Sequence, residues 1–138
     1  MIVTFCGHRD CNDFSDSIIR LYAKIEDLIN TGYREFYLGG YGNFDLAAAR
    51  ALRTYKDLCP TIKRTLVLPY ANKSYDRELY DNVIYPLMSD VPKKYAIIKR
   101  NEWMVENSDV LIACVERPGG AAKTLEYAEK LGKRIIRI

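Results

Sequence analysis

The sequence holds a single histidine, and its four cysteines include no CxxC pair. A structural metal site usually draws four His, Cys or carboxylate ligands from paired spacings. The group Cys6, His8, Asp10 and Cys11 falls short of that pattern, so no metal is expected and the thiols are read as reduced. No apolar run approaches the ~20 residues that cross a bilayer, and the opening MIVTFCGHRD turns polar too early for a signal peptide. No membrane partner is expected, and the cytoplasm is the expected location. A long cationic run is also missing: 21 basic and 18 acidic side chains are spread along the chain for a net charge of +3. Nothing in that distribution marks a polyanion track, so a nucleic-acid partner is not expected. No repeat, linker or low-complexity stretch divides the chain. Its 138 residues fall in the ~100–150 residue range of one domain, which excludes a separate substrate lobe.

Hydrophobic residues make up 49% and charged residues 28% of the chain, the balance of a soluble domain with a real core. Residues 2–6 (IVTFC) read as a buried strand ended at Gly7. Ile18, Ile19, Leu21, Tyr22, Ile25, Leu28 and Ile29 recur at helical spacing, with Ser15 or Asp16 to cap the start and Gly32 to end the helix. A strand at 35–38 leads through GGYGNFD into an alanine-rich helix, LAAARALRTYKDL. Residues 64–69 form a third strand stopped by Pro69. The segment from Tyr75 to Met88 reads as helical. Residues 95–98 (YAII) read as a short strand or an extended connector before a helix opening near Arg100. A strand at 110–115, the loop ERPGG, a helix from about Ala122 to Leu131 and a last strand at 134–138 complete the chain. Strands separated by helices pair in parallel through right-handed crossovers. The expected fold is therefore one α/β domain over residues 1–138, Rossmann-like and doubly wound on a mostly parallel sheet.

Such sheets bind ligands beyond the carboxyl ends of their strands, and the unusual residues fall there: Gly7, His8 and Arg9 after the first strand, Gly39, Gly40, Tyr41, Gly42 and Asp45 after the second, Pro69 and Tyr70 after the third, and Pro118, Gly119 and Gly120 after the penultimate one. Glycine lets backbone amides approach a phosphate, and the helix that follows aims its positive end at the anion. One Gly-Gly pair is better read as a tight turn, whereas two in matching strand-to-helix positions favour an anion cradle. Arg9 and Arg100 are candidates for bidentate pairing with phosphate, although a cation at a helix start gains nothing from the helix dipole. Asp45 has two readings, a helix cap or a partner for ribose hydroxyls. His8, without an assigned carboxylate partner, reads as a ligand contact or a loop hydrogen-bonder rather than an acid or base. Tyr41 and Tyr70 are placed to stack on a base.

Together these loops resemble the SLOG superfamily, which joins the DNA-processing Smf/DprA proteins, the YpsA-like proteins and the LOG phosphoribohydrolases. The resemblance spans nearly the whole chain, through TFCGHR, GGYGNFDLAAA, Lys99-Arg100-Asn101 with Trp103-Met104-Val105, and PGGAAKT, and is closest to the YpsA-like branch. It implies a Rossmann-like fold, a site for a nucleotide-type ligand that also involves Asn101 and Thr124, and assembly into a dimer or larger homo-oligomer. LOG enzymes cleave the N-glycosidic bond of nucleoside monophosphates with an arginine and the glutamate of a PGGxGTxxE pattern. Arg100 resembles that arginine. Here, however, one extra residue precedes Thr124 and Tyr127 stands where the glutamate is expected, with Glu126 one position away and turned by about 100° on a helix. Binding of a phosphate-bearing nucleotide or its derivative, as a sensor or binding protein, is thus the first expectation, with no further cofactor. Phosphoribohydrolase activity through Glu126 and Arg100 is the second, and single-stranded DNA binding the third.

Overall fold

The computed structural model describes residues 1–10, 15–71, 74–87 and 91–138. Cys11 and Met88 therefore lie outside the described residues. The elements run β1 (Ile2–Gly7), α1 (Ser15–Asn30), β2 (Glu35–Leu38), α2 (Asn43–Leu58), β3 (Lys63–Val67), a 3-10 turn (Arg77–Leu79), β4 (Asn82–Ile84), α3 (Lys93–Glu106), β5 (Val110–Cys114), α4 (Gly120–Lys130) and β6 (Arg134–Arg137). The six strands lie in the order β4-β3-β2-β1-β5-β6 and every pairing is parallel. This is the expected doubly wound, Rossmann-like sheet. Among the described residues, no helix is long and apolar enough to cross a membrane.

Strand periodicity divides the core in two. Val3, Phe5, Val110 and Ile112 pack with Leu21, Ile25 and Leu28 of α1 and Ala48 and Leu52 of α2. The intervening Cys6, Leu111 and Ala113 pack with Val105 of α3 and Ala128 of α4. Burying each large aliphatic side chain contributes about 1.5–3 kcal/mol, and helices cover both faces of the sheet. Helices α1 and α4 close in the same way. Gly32 and Gly132 follow them and donate to Ile29 and Glu129, while the next amides, of Tyr33 and Lys133, reach back to Leu28 and Ala128.

Two expectations need correction. The described residues 75–87 of the expected 75–88 helix do not form one: Asp76 caps a single 3-10 turn by accepting from the Glu78 amide at 3.0 Å, and the chain then extends as edge strand β4. The cause is tertiary. Asp81 accepts from the Arg64 amide at 2.8 Å and from Arg64 Nε and Nη2 at 3.1 Å each, which ties the segment flat against β3. Residues 95–98 are likewise neither strand nor connector but part of α3, which starts at Lys93 directly after Pro92. Arg100 consequently sits in the middle of a helix rather than at its start.

Burial opposes ionisation of Asp81, but the hydrogen bonds from Arg64 and the charges of Arg64 and Lys56 hold its carboxyl down at about 2. In an unfolded chain the value is about 3.9. The depressed value means that the contribution is present above about pH 4 and lost as pH falls toward 2. Asp81→Asn is therefore expected to cost about 1–2 kcal/mol in urea unfolding at pH 7. The gap to wild type should shrink steadily in titrations carried toward pH 2.5.

Candidate functional site

Strand order reverses at β1, which has β2 on one side and β5 on the other. The loops after β1 and β5 therefore diverge from neighbouring strand ends and leave a crevice. It is a cleft of about 360 Å³ with Phe5, Phe44, Ile97 and Met104 among its apolar lining. His8 joins its two sides: Nε2 of this buried ring accepts from the Glu116 amide at 2.8 Å and the Arg117 amide at 3.3 Å. Farther out, the Arg117 guanidinium pairs with the Asp10 carboxylate.

The loop between β2 and α2 is organised by two charges. The Asp45 carboxylate accepts from the amides of Gly39 at 3.1 Å, Gly40, and Tyr41 at 3.3 Å. Asp45 is not the cap of α2, whose N-cap is Gly42 without a side-chain cap bond; its carboxylate instead ties down the loop that precedes the helix. Arg100 is only 2% exposed. Its Nη1 donates to the carbonyls of Gly39 at 2.7 Å and Val67 at 2.9 Å, and Nε donates to Asn101 Oδ1 at 2.9 Å. Those carbonyls sit at the ends of β2 and β3, so the guanidinium bridges two strand ends. Burial pushes the Asp45 carboxyl above the usual carboxylate range, against the pull of the three amides and of Arg100. Burial also presses Arg100 below its ordinary value, and Asp45 acts in the opposite direction. Each group is thus the other's counter-charge.

The glycines of the two loops serve different ends. At Gly42 φ is +93°, and a Cβ would lie 2.7 Å from the Arg9 Cα, so glycine is required there by the protein's own backbone. A Cβ on Gly7 would lie 2.3 Å from the Phe44 ring. Gly119 also has positive φ, +143°, but among the described residues no neighbouring atom lies within 4 Å of a Cβ built on it or on Gly120. Helix α4 begins at this pair without a side-chain cap. Its first-turn amides have no intrahelical acceptor, and Gly119, Gly120 and Ala121 all line the cleft.

Of the residues singled out in the sequence, Gly7, His8, Arg9, Gly39, Tyr41, Asp45, Arg100, Asn101, Pro118, Gly119, Gly120 and Thr124 line this one cleft. Gly40, Gly42, Pro69, Tyr70 and Glu126 are outside its lining. Glu126 is exposed on α4, and Tyr127 beside it donates to Glu106 of α3 at 2.5 Å, which ties two helices together. Arg9 lies over the Tyr41 ring at 4.3 Å, and Thr124 Oγ1 donates to the Gly120 carbonyl at 3.0 Å. Arg117 and Asp10 were not singled out as cleft residues, although a cation directly before a glycine loop at a strand end was a usable signal. Ile97 gave none, because its position depends on where α3 begins, and Met104 entered through the resemblance around Arg100. Cys6 also lines the cleft, but burial pushes its thiol up to about 12, so it is no nucleophile at neutral pH. Among the described residues, no group of His, Cys, Asp and Glu gathers as a metal site.

Removing one member of the Asp45–Arg100 pair leaves the other charge unmatched. Arg100→Met is expected to lower unfolding stability by about 3 kcal/mol and Asp45→Asn by about 2 kcal/mol. In urea unfolding the double variant should lose clearly less than the sum, because no unmatched charge remains.

No protein-family model and no curated protein sequence matches the chain. Solved structures do. DNA processing protein A from Helicobacter pylori, described with its single-stranded DNA binding mode, matches with a TM-score of 0.70 at 17% identity over 99% of this chain. This chain spans 64% of the length of that one. The molybdenum cofactor carrier protein from Chlamydomonas reinhardtii matches with a TM-score of 0.67 at 15% identity, covering 99% of this chain and 75% of the carrier. TM1055, a structural-genomics target, matches with a TM-score of 0.66 at 17% identity, covering 97% of this chain and 71% of its own. The chain therefore shares the fold of these three proteins.

Proposed function

We propose that the chain binds a phosphate-bearing nucleotide or nucleotide-derived ligand in the switch-point cleft and acts as a sensor or binding protein. The observation that carries this reading is the open space in front of Gly119 and Gly120 at the uncapped start of α4. A helix start with free amides and no Cβ in the way receives an anion. The amides of Gly39, Gly40 and Tyr41 are already engaged by Asp45, so the phosphate is assigned to the loop after β5. Arg9 and Arg117 stand at the same cleft with exposed guanidinium groups suited to phosphate oxygens. The Tyr41 ring and the apolar floor of Phe44, Ile97 and Met104 suit a flat base. That one fold neighbour is a cofactor carrier is in keeping with binding as an end in itself.

Binding without turnover is preferred to N-glycosidic cleavage on the placement of acids. Cleavage needs a carboxylate beside an oxocarbenium-like centre. Among the described residues lining the cleft the acids are Asp10 and Asp45, one paired with Arg117 and the other engaged by the loop, while Glu126 lies outside. Single-stranded DNA remains a third reading because a neighbour of the same fold binds it. The proposal includes self-association, since Tyr95 and Ile98 are exposed on α3 at 48% and 47%.

A thermal-shift panel of nucleoside mono-, di- and cyclic phosphates tests the main reading. At ~100-fold over its Kd a ligand adds about 2.7 kcal/mol, or several degrees. Gly120→Ala meets no protein atom and is expected to leave the unliganded melting temperature unchanged while cutting the ligand-induced shift. Absence of a shift with every member of the panel would sink the proposal. Chromatography of the same mixtures is expected to find no free base, and a salt-sensitive mobility shift with single-stranded DNA would favour the third reading.

A further inference from the structure

The backbone of the loop after β5 is held from across the cleft by the His8 side chain. His8, 6% exposed, accepts the amides of Glu116 and Arg117 on Nε2. These residues lead directly into Pro118-Gly119-Gly120. An imidazole nitrogen that accepts two amides carries no proton, so the ring is neutral with its hydrogen on Nδ1. We propose that His8 is a positioning residue that sets the loop after β5 over the cleft, and that protonation of Nε2 releases the loop. A protonated Nε2 would set an N–H against two N–H donors, so both bonds would be lost together.

Among the described residues, the charged groups that share the cleft with the ring are Arg9 and Asp10 of its own loop, Asp45 of α2, Arg100 of α3 and Arg117 of the held loop, with Glu116 bonded to the ring through its amide. α4 contributes no charged residue to the cleft lining. Because the neutral ring is the holding form, the held loop and its anion affinity belong to the high-pH side. Protonation of Nε2 removes both. Asp10, which pairs with the Arg117 side chain, grips the same residue by its other end.

His8 is the only histidine in the chain, so its nitrogen signals are unambiguous in two-bond 1H–15N spectra. The expected result at pH 7.5 is the Nδ1–H tautomer. Lowering the pH should move the Glu116 and Arg117 amide resonances with the midpoint of the imidazole, and those of Gly119 and Gly120 should follow. In His8→Gln the side-chain oxygen takes the place of Nε2 without titrating, and the four amides are expected to lose that dependence. An Nε2–H tautomer at pH 7.5, or unchanged pH dependence of the amides in His8→Gln, overturns the proposal.

A second arm, which rests on the anion-binding reading above, uses inorganic phosphate. From pH 7.5 to 5.5 its Kd should rise about tenfold more in the wild type than in His8→Gln, the loss of two hydrogen bonds. The titration of phosphate itself is common to both proteins. Equal pH dependence in the two overturns the link between His8 and the cradle. If phosphate binds neither protein at either pH, the anion-binding reading fails, while the tautomer and the amide titrations still decide the role of His8.

Discussion

A guanidinium taken out of water costs several kcal/mol unless its charge and its donors are both met, and the open end of this sheet is arranged around meeting those of Arg100. Its Nη1 reaches the carbonyls of Gly39 and Val67, which end two neighbouring strands. Asp45 balances the charge and uses its two oxygens to gather the amides of Gly39, Gly40 and Tyr41. The same pair therefore joins β2, β3, α2 and α3 at the point where the sheet gives way to loops. The contribution of these two groups is better described as fixing geometry than as adding stability, since buried charges seldom outweigh an apolar replacement.

That arrangement gives the two glycine-rich loops different characters. The loop after β2 is complete in itself: its amides face an internal carboxylate, and Gly42 is required by the backbone of Arg9. The loop after β5 has no internal partner of this kind. Its glycines face open space and the helix behind it starts without a cap. Two loops of similar composition in equivalent strand-to-helix positions are thus one scaffold and one candidate receptor, and the difference lies in whether an acid follows at the right distance. Asp45 follows Gly39 by six residues. No Asp or Glu follows Gly119 until Glu126, which is exposed on α4.

Much of this architecture was legible in the sequence because it rests on local signals. The helix over residues 15–30 and the strands β1, β2 and β5 have strong periodicity and clear stops, and the gathering of loops at one end follows from parallel topology alone. The failures share a cause. Residues 75–88 contain enough helix formers to suggest a helix, but the Arg64–Asp81 contact spans seventeen residues and makes an edge strand that no local pattern announces. The YAII run reads as strand by β-branching, yet Pro92 starts a helix upstream and carries it through. Misplacing that start hid the burial of Arg100, the inward face of Ile97 and Met104, and hence the apolar floor of the cleft. The two readings of Asp45 were inseparable without coordinates, because both place an acid early in the helix.

The charges around the cleft divide by how readily a ligand can reach them. Arg100 and Asp45 are bound to strand ends and loop amides, and drawing either into chemistry would undo the scaffold that positions the site. Arg9 and Arg117 are exposed and rest against Tyr41 and Asp10, contacts of a kind worth ~1 kcal/mol or less at a surface. An anion is able to replace such partners at little cost. A glycosidase places a firmly held carboxylate beside the reacting carbon. Here all four charges line the cleft, but Arg100 and Asp45 are engaged by strand ends and loop amides while Arg9 and Arg117 are loosely held, which suits the proposed exchange of weak contacts for those of a ligand.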